Sequence, residues 1–114
     1  MPIERGDVFY VNLDPTKGSE QAGTRPVLVI QNNVGNEYAP TVIIAPLTTK
    51  AFTKRYPTNV NVSRGTAGLP TDSTVLLSQI RTIDKSRLER NVGHLPSALM
   101  RQVDEAIRIS LGLT

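Results

Sequence analysis

The chain contains no cysteine and no tryptophan, and His94 is its only histidine. Without cysteine there are no disulfides and no thiolate nucleophile, and a single histidine does not assemble a Cys/His zinc site within one chain. A pair of histidines sharing general acid–base work is excluded on the same count. No apolar run approaches the roughly 20 residues of a membrane span. A hydrophobic content of 39% with 20% charge and no low-complexity tract argues against disorder. The opening MPIERGDVFYV carries charges within its first seven residues and no apolar signal core, which predicts a cytoplasmic protein. At 114 residues a single domain, 1–114, is expected, large enough for a core of its own. A net charge of +3 and a pI near 9.6 suit a polyanionic partner without specifying one.

What is present is mostly strand. Asp7 to Leu13, Pro26 to Gln31, Thr41 to Leu47, Thr58 to Ser63 and Ser73 to Ile83 are short runs rich in Val, Ile, Tyr and Thr, bounded by Gly, Pro, Asn or Asp. No helix-length periodic segment separates them, which favours an antiparallel sheet curled into a small barrel over parallel crossovers. The fifth run, with Val75, Leu76 and Leu77 in succession, reads as one central strand covered on both faces. Asp84 to Leu88 reads as a helical turn and Glu89 to His94 as a last strand. From Pro96 to Leu111 the period changes: Leu99, Val103, Ala106, Ile107 and Leu111 draw one stripe along a helix, with Pro96 at its start and Gly112 at its end. The fold class is mainly β with a C-terminal α-helix.

Two polar segments interrupt this pattern. DPTKGSEQAGTRP, residues 14–26, puts two glycines and four charged residues between VFYVNL and VLVI. Its Gly18-Ser19-Glu20-Gln21-Ala22-Gly23 has P-loop glycine spacing, but Thr24-Arg25 replaces the required Lys-Ser/Thr, and a proline and a strand follow where a helix should start. A nucleotide cradle is therefore excluded; a plain hairpin loop and a chemical site both remain. The second segment begins where the strand Val42 to Leu47 runs into Thr48-Thr49-Lys50 and continues through Ala51-Phe52-Thr53-Lys54-Arg55-Tyr56-Pro57. Its hydroxyls can cap a turn or face the neighbouring loop. Its adjacent cations between two rings have the composition of a surface for single-stranded nucleic acid, and equally that of a solvated loop with packed rings.

DPTKGSEQAGTRPVLVIQN closely resembles the signature segment of the MazF/PemK family of toxin endoribonucleases from toxin–antitoxin systems. The rest of the chain is similar in the same order: Arg5-Gly6-Asp7, Pro46-Leu47-Thr48-Thr49, Ser78-Gln79-Ile80-Arg81-Thr82-Ile83-Asp84 and Val103-Asp104-Glu105-Ala106. The resemblance implies a small SH3-like antiparallel barrel of the CcdB/PemK type, a homodimer, and cleavage of single-stranded RNA at short motifs without a metal or other cofactor. It also implies a MazE-like antitoxin whose acidic, flexible tail lies where RNA would lie, and no membrane partner. The related CcdB toxins share the fold but bind DNA gyrase and cut nothing; they use a C-terminal tryptophan, and this chain ends Ser110-Leu111-Gly112-Leu113-Thr114. A barrel that binds nucleic acid passively is the remaining alternative.

RNA supplies its own nucleophile, the 2′-hydroxyl, so cleavage requires its deprotonation, stabilisation of charge on the phosphate and protonation of the departing 5′ oxygen. By the resemblance Arg25 and Thr48 are catalytic, and Glu20 joins them as the nearest acidic candidate in the loop. Arg25 would grip phosphate oxygens with its planar fork; as a class, arginines hold their proton to above about pH 12, so charge stabilisation suits it better than proton transfer. Thr48 would donate its hydroxyl to the scissile phosphate, and Glu20 would act as base or orient Arg25. Ser19, Thr49 and Gln79 would hydrogen-bond the unstacked strand, and Lys17, Lys54, Arg55 and Arg81 would contact phosphates. His94, before the last helix, is read as structural.

Overall fold

The longest strand organises the molecule, a computed structural model that describes residues 2–113. The elements run β1 (Asp7–Asn12), β2 (Thr24–Val29), α1 (Asn33–Tyr38), β3 (Thr41–Thr48), β4 (Asn59–Val62), β5 (Ser73–Leu76), β6 (Arg81–Asp84), β7 (Leu88–His94) and α2 (Ser97–Leu111). One edge of β3 pairs with β2, Val27 against Pro46 through Val29 against Ile44. The other edge is shared: β6 takes Thr41–Ile44 and β5 takes Leu47–Thr48. The strand order is β4-β5-β3-β2-β1-β7 with β6 beside β3, and each of these pairings is antiparallel. This is the mainly β fold with a C-terminal helix that the sequence predicts.

Alternate strand residues face opposite sides of a sheet, and here both sides are buried. Val8, Leu28, Ala45, Leu47, Val60 and Val75 join Met100, Val103 and Ala106 of α2 in one core. Phe9, Val11, Val27, Val29, Val42 and Ile44 form the second with Leu13, Ile83 and Leu88. That division explains why VLVI and VIIA read as continuous apolar runs. On α2 the buried face is Met100, Val103 and Ala106, while Leu111, placed by periodicity on the apolar stripe, is 58% exposed. Gly112 ends the helix in the left-handed region, its N–H reaching the carbonyls of Arg108 and Ile109.

The structure departs from the sequence reading at two places. The run Ser73 to Ile83 is not one strand: Leu77–Gln79 form a 3₁₀ turn between β5 and β6. The ladder shows why, because Leu47 pairs with Val75 but Ile44 with Arg81, so three steps along β3 meet six along its partner and three residues loop out. The second change is α1, to which no expectation was attached; Asn32 caps it by accepting from Gly35 N–H at 2.8 Å. The turn expected at Asp84 to Leu88 is present at Lys85–Arg87. Among the described residues no helix is long and apolar enough to cross a membrane.

Candidate active site

The loop between β1 and β2 is fastened at its root. Leu13 N–H donates to the Gly23 carbonyl at 3.0 Å, and the Asp14 carboxylate accepts from Gly23 N–H at 3.2 Å. Arg81 donates to the Leu13 carbonyl at 2.8 Å, and Arg87 to the carbonyls of Asn12 and Asp14 at 2.6 and 2.9 Å. Above the root, Glu20 Oε1 accepts from Lys17 N–H at 2.7 Å while Glu20 N–H returns to the Lys17 carbonyl at 3.2 Å, closing a small turn.

Where this loop runs into β2, it delivers Arg25. The β2–β3 ladder ends at Val27 against Pro46; Arg25 lies two residues beyond it, and its guanidinium reaches the Leu47 carbonyl, the peptide that leads into Thr48. Arg25 Nε donates to the Ala22 carbonyl at 2.9 Å and a terminal nitrogen to the Leu47 carbonyl at 3.2 Å. A guanidinium has five N–H donors; with two engaged, three are left for a substrate. Thr48 is 8% exposed, and its hydroxyl oxygen accepts from Lys50 N–H at 3.2 Å, which leaves its O–H to donate outward. No ion pair joins Glu20 to Arg25 among the described residues; the carbonyls of Ala22 and Leu47 hold the guanidinium.

Two depressions lie on either side of Leu47–Thr48 along the chain, and neither Arg25 nor Thr48 is among the residues that line them. The first, about 660 Å³, is walled by Ser19, Glu20 and Gln21 of the loop and by Ser78, Gln79 and Arg81 across from it, over a floor of Ile44 and Pro46. The second, about 770 Å³, is lined by Thr49 to Pro57 together with Asn59, Asn61, Thr74 and Gln102. Pro46 belongs to the first and Thr49 to the second, so Leu47–Thr48 is the strip of β3 between them. Of the residues expected to bind RNA, Ser19, Gln79 and Arg81 thus line one side, and Thr49, Lys54 and Arg55 the other. Lys17 is exposed but lines neither. In the second depression Phe52 and Tyr56 meet edge to face at 5.8 Å, and Lys50 sits 5.4 Å from the Phe52 ring centre.

Some assignments shift. Gln79 is not a free amide: its oxygen accepts from Gln21 N–H at 2.8 Å and its nitrogen donates to the Ser19 carbonyl at 3.5 Å. Arg81 spends one nitrogen on Leu13. His94 is structural as read, its Nδ1 2.8 Å from an Asp7 carboxylate oxygen, and it lines neither depression. With Glu4 these two form the one trio of potential metal ligands among the described residues, their ligand atoms within 4.8 Å. Asp7 there already accepts from Glu4 N–H at 2.9 Å. The lining residues Asn59, Asn61 and Gln102 were not anticipated. For the asparagines the signal existed, since their alternation with buried Val60 and Val62 turns both amides outward; for Gln102 there was none.

A small β fold with an arginine bound to the carbonyl before a buried threonine, and two polar depressions that carry Arg81, Lys54 and Arg55, has the form of a phosphodiester-binding protein. The sequence profile of the PemK-like, MazF-like toxins of type II toxin–antitoxin systems matches residues 4–111, and the chain belongs to that family. It is 49% identical over 113 residues to endoribonuclease EndoA of Bacillus subtilis (strain 168), covering 99% of this chain and 97% of that one. Among solved structures, MazF from Deinococcus radiodurans superposes with a TM-score of 0.84 at 26% identity, over 98% of each chain. An endoribonuclease from a mycobacterial species, solved in complex with its cognate antitoxin, superposes with a TM-score of 0.82 at 27% identity, over 98% of this chain and 97% of that one.

Proposed function

We propose that the protein is the toxin of a type II toxin–antitoxin pair and cleaves single-stranded RNA in the cytoplasm. The observation that carries this reading is the Arg25 guanidinium, fixed by the Ala22 carbonyl and by that of Leu47, next to Thr48 in the chain, with three N–H donors to spare. In the proposed reaction the 2′-oxygen bonds to phosphorus as the bond to the 5′ oxygen breaks. Arg25 and the Thr48 hydroxyl hydrogen-bond the non-bridging oxygens and meet the charge that develops on them. Glu20, an exposed carboxylate in the wall of the first depression, takes the 2′-hydroxyl proton, and the departing 5′ oxygen takes its proton from solvent water. The strand runs from the first depression to the second, with Ser19 and Arg81 along one part and Thr49, Lys54 and Arg55 along the other, Lys17 adding charge at the rim. The 49% identity to an endoribonuclease supports the activity, and the antitoxin complex of the mycobacterial relative supports a partner protein. That partner is a MazE-like antitoxin with an acidic tail seated in the RNA groove, and the active form is a homodimer.

The test is incubation of the purified protein with a long single-stranded RNA in excess EDTA, beside Arg25→Ala. Discrete fragments from the wild type alone are expected. No cleavage, or cleavage only on adding metal, overturns the reading; equal cleavage by the variant overturns the role of Arg25.

A further inference from the structure

Gln79 sits on a turn that is clamped from behind. Leu77, fully buried, donates its N–H to the Thr58 carbonyl at 2.9 Å, and its carbonyl accepts from the Ser110 hydroxyl of α2 at 2.6 Å. The turn therefore cannot slide along β3, and it presents Ser78 and Gln79 to the first depression. Across that space lies the crown of the β1–β2 loop. Its internal bonds link Thr16 to Asp14 and Lys17 to Glu20. Among the described residues, every hydrogen bond from Thr16–Gln21 to the body of the protein ends on the Gln79 side chain. The residue after Gln21 is Ala22, whose carbonyl holds Arg25 Nε at 2.9 Å.

We infer that Gln79 is a positioning residue: its amide latches the loop crown to the clamped turn and, through Gln21 and Ala22, fixes the direction of the Arg25 fork. Resting on the RNA-cleavage reading, the inference moves Gln79 from a contact with the RNA strand to the support of the group that meets its phosphate. An amide suits this task, because one side chain has to accept from an N–H and donate to a carbonyl two residues apart on the loop. A glutamate in its place keeps the acceptor, and a methionine of similar length keeps neither.

The test uses Gln79→Met and Gln79→Glu in the whole protein. Without RNA, hydrogen exchange of the Gln21 amide is expected to be about five- to tenfold faster in Gln79→Met, the size of one neutral hydrogen bond. Sheet amides and the melting temperature stay unchanged, and Gln79→Glu retains the protection at Gln21. On a short RNA substrate, kcat of Gln79→Met is expected to fall roughly tenfold with KM within about twofold, as for loss of an interaction that serves the transition state only. Unchanged Gln21 exchange in Gln79→Met overturns the latch. So does a raised KM with kcat intact, which makes Gln79 a contact with RNA. A wild type that cuts no RNA strikes the proposed function alone, since the exchange measurements on free protein still decide the latch.

Discussion

Arg25 was legible in the sequence as a cation at the mouth of a buried strand, but its two anchors were not, because backbone carbonyls carry no sequence signal. Those anchors distinguish a guanidinium from a bare charge. Lysine has one nitrogen on a flexible stem and cannot bond the Ala22 and Leu47 carbonyls while still offering a planar fork. Arg25→Lys is therefore expected to lower the single-turnover cleavage rate nearly as far as Arg25→Ala, by roughly 10²- to 10³-fold, the usual cost of one preorganised donor. Recovery of more than half the wild-type rate by lysine would reduce Arg25 to a source of charge. Glu20 separates in a similar way, since its carboxylate both closes the Lys17 turn and faces the depression. Glu20→Gln retains an oxygen for Lys17 N–H, so the loop keeps its form; the rate should still drop by about 10²-fold if the carboxylate takes a proton. An unchanged rate constant in that variant leaves Glu20 a purely structural cap.

Elements were legible where one force dominates. Strands rich in Val and Ile and the 3.6-residue period of α2 follow from burial, and burial is written in composition. The break at Leu77–Gln79 is not, because Leu76 and Leu77 continue the apolar run and the interruption arises from how β5 and β6 share one edge of β3. The same holds for α1, whose Asn33-Val34-Gly35-Asn36 is poor helix sequence held by tertiary partners: Lys85 Nζ donates to the Asn36 carbonyl at 2.5 Å, and Asn36 to that of Gln31 at 3.0 Å. The turn Lys85–Arg87 is the opposite case, announced by its cap. Asp84 accepts from the Ser86 hydroxyl and from Ser86 N–H at 2.9 Å; the hydroxyl first and the amide second hold its carboxyl below the ordinary 3.8. A carboxyl lowered on folding contributes stability that is present above about pH 3.8 and lost as the pH falls through its folded value. Asp84→Ala should thus unfold at lower urea than the wild type at about pH 6, with the gap narrowing as the pH is lowered below 3.8. A gap of the same size at both would mean that the cap acts through something other than its charge.

At the scale of the whole molecule the open question is how a sheet with two edges closes. The ladder ends at β4 on one side and β7 on the other, and among the described residues no strand pair joins them. Backbone packing does: the segment after β4, Thr66–Gly68, lies directly on Val92 and Gly93 of β7. A methyl group at Gly93 would run into the Ala67 carbonyl, and one at Gly68 into that of Val92. The obstacle is peptide backbone on both sides, so no rotamer change relieves it, and Ala67 is already in the left-handed region at φ 53°. Gly93→Ala must push the two edges apart, which loosens β7 and with it β1, the strand that roots the active-site loop. Overpacking of this kind costs about 3 kcal/mol, a fall in melting temperature on the order of 10 °C for a domain of this size. Gly65→Ala supplies the comparison: at φ +88° it meets strain of roughly 1 to 2 kcal/mol, but nothing lies within 4 Å of the added carbon. Thermal unfolding of the two variants side by side therefore separates backbone strain from closure. Gly93→Ala melting well below Gly65→Ala is the expected order, and the reverse order would mean that the sheet edges are free to part without cost.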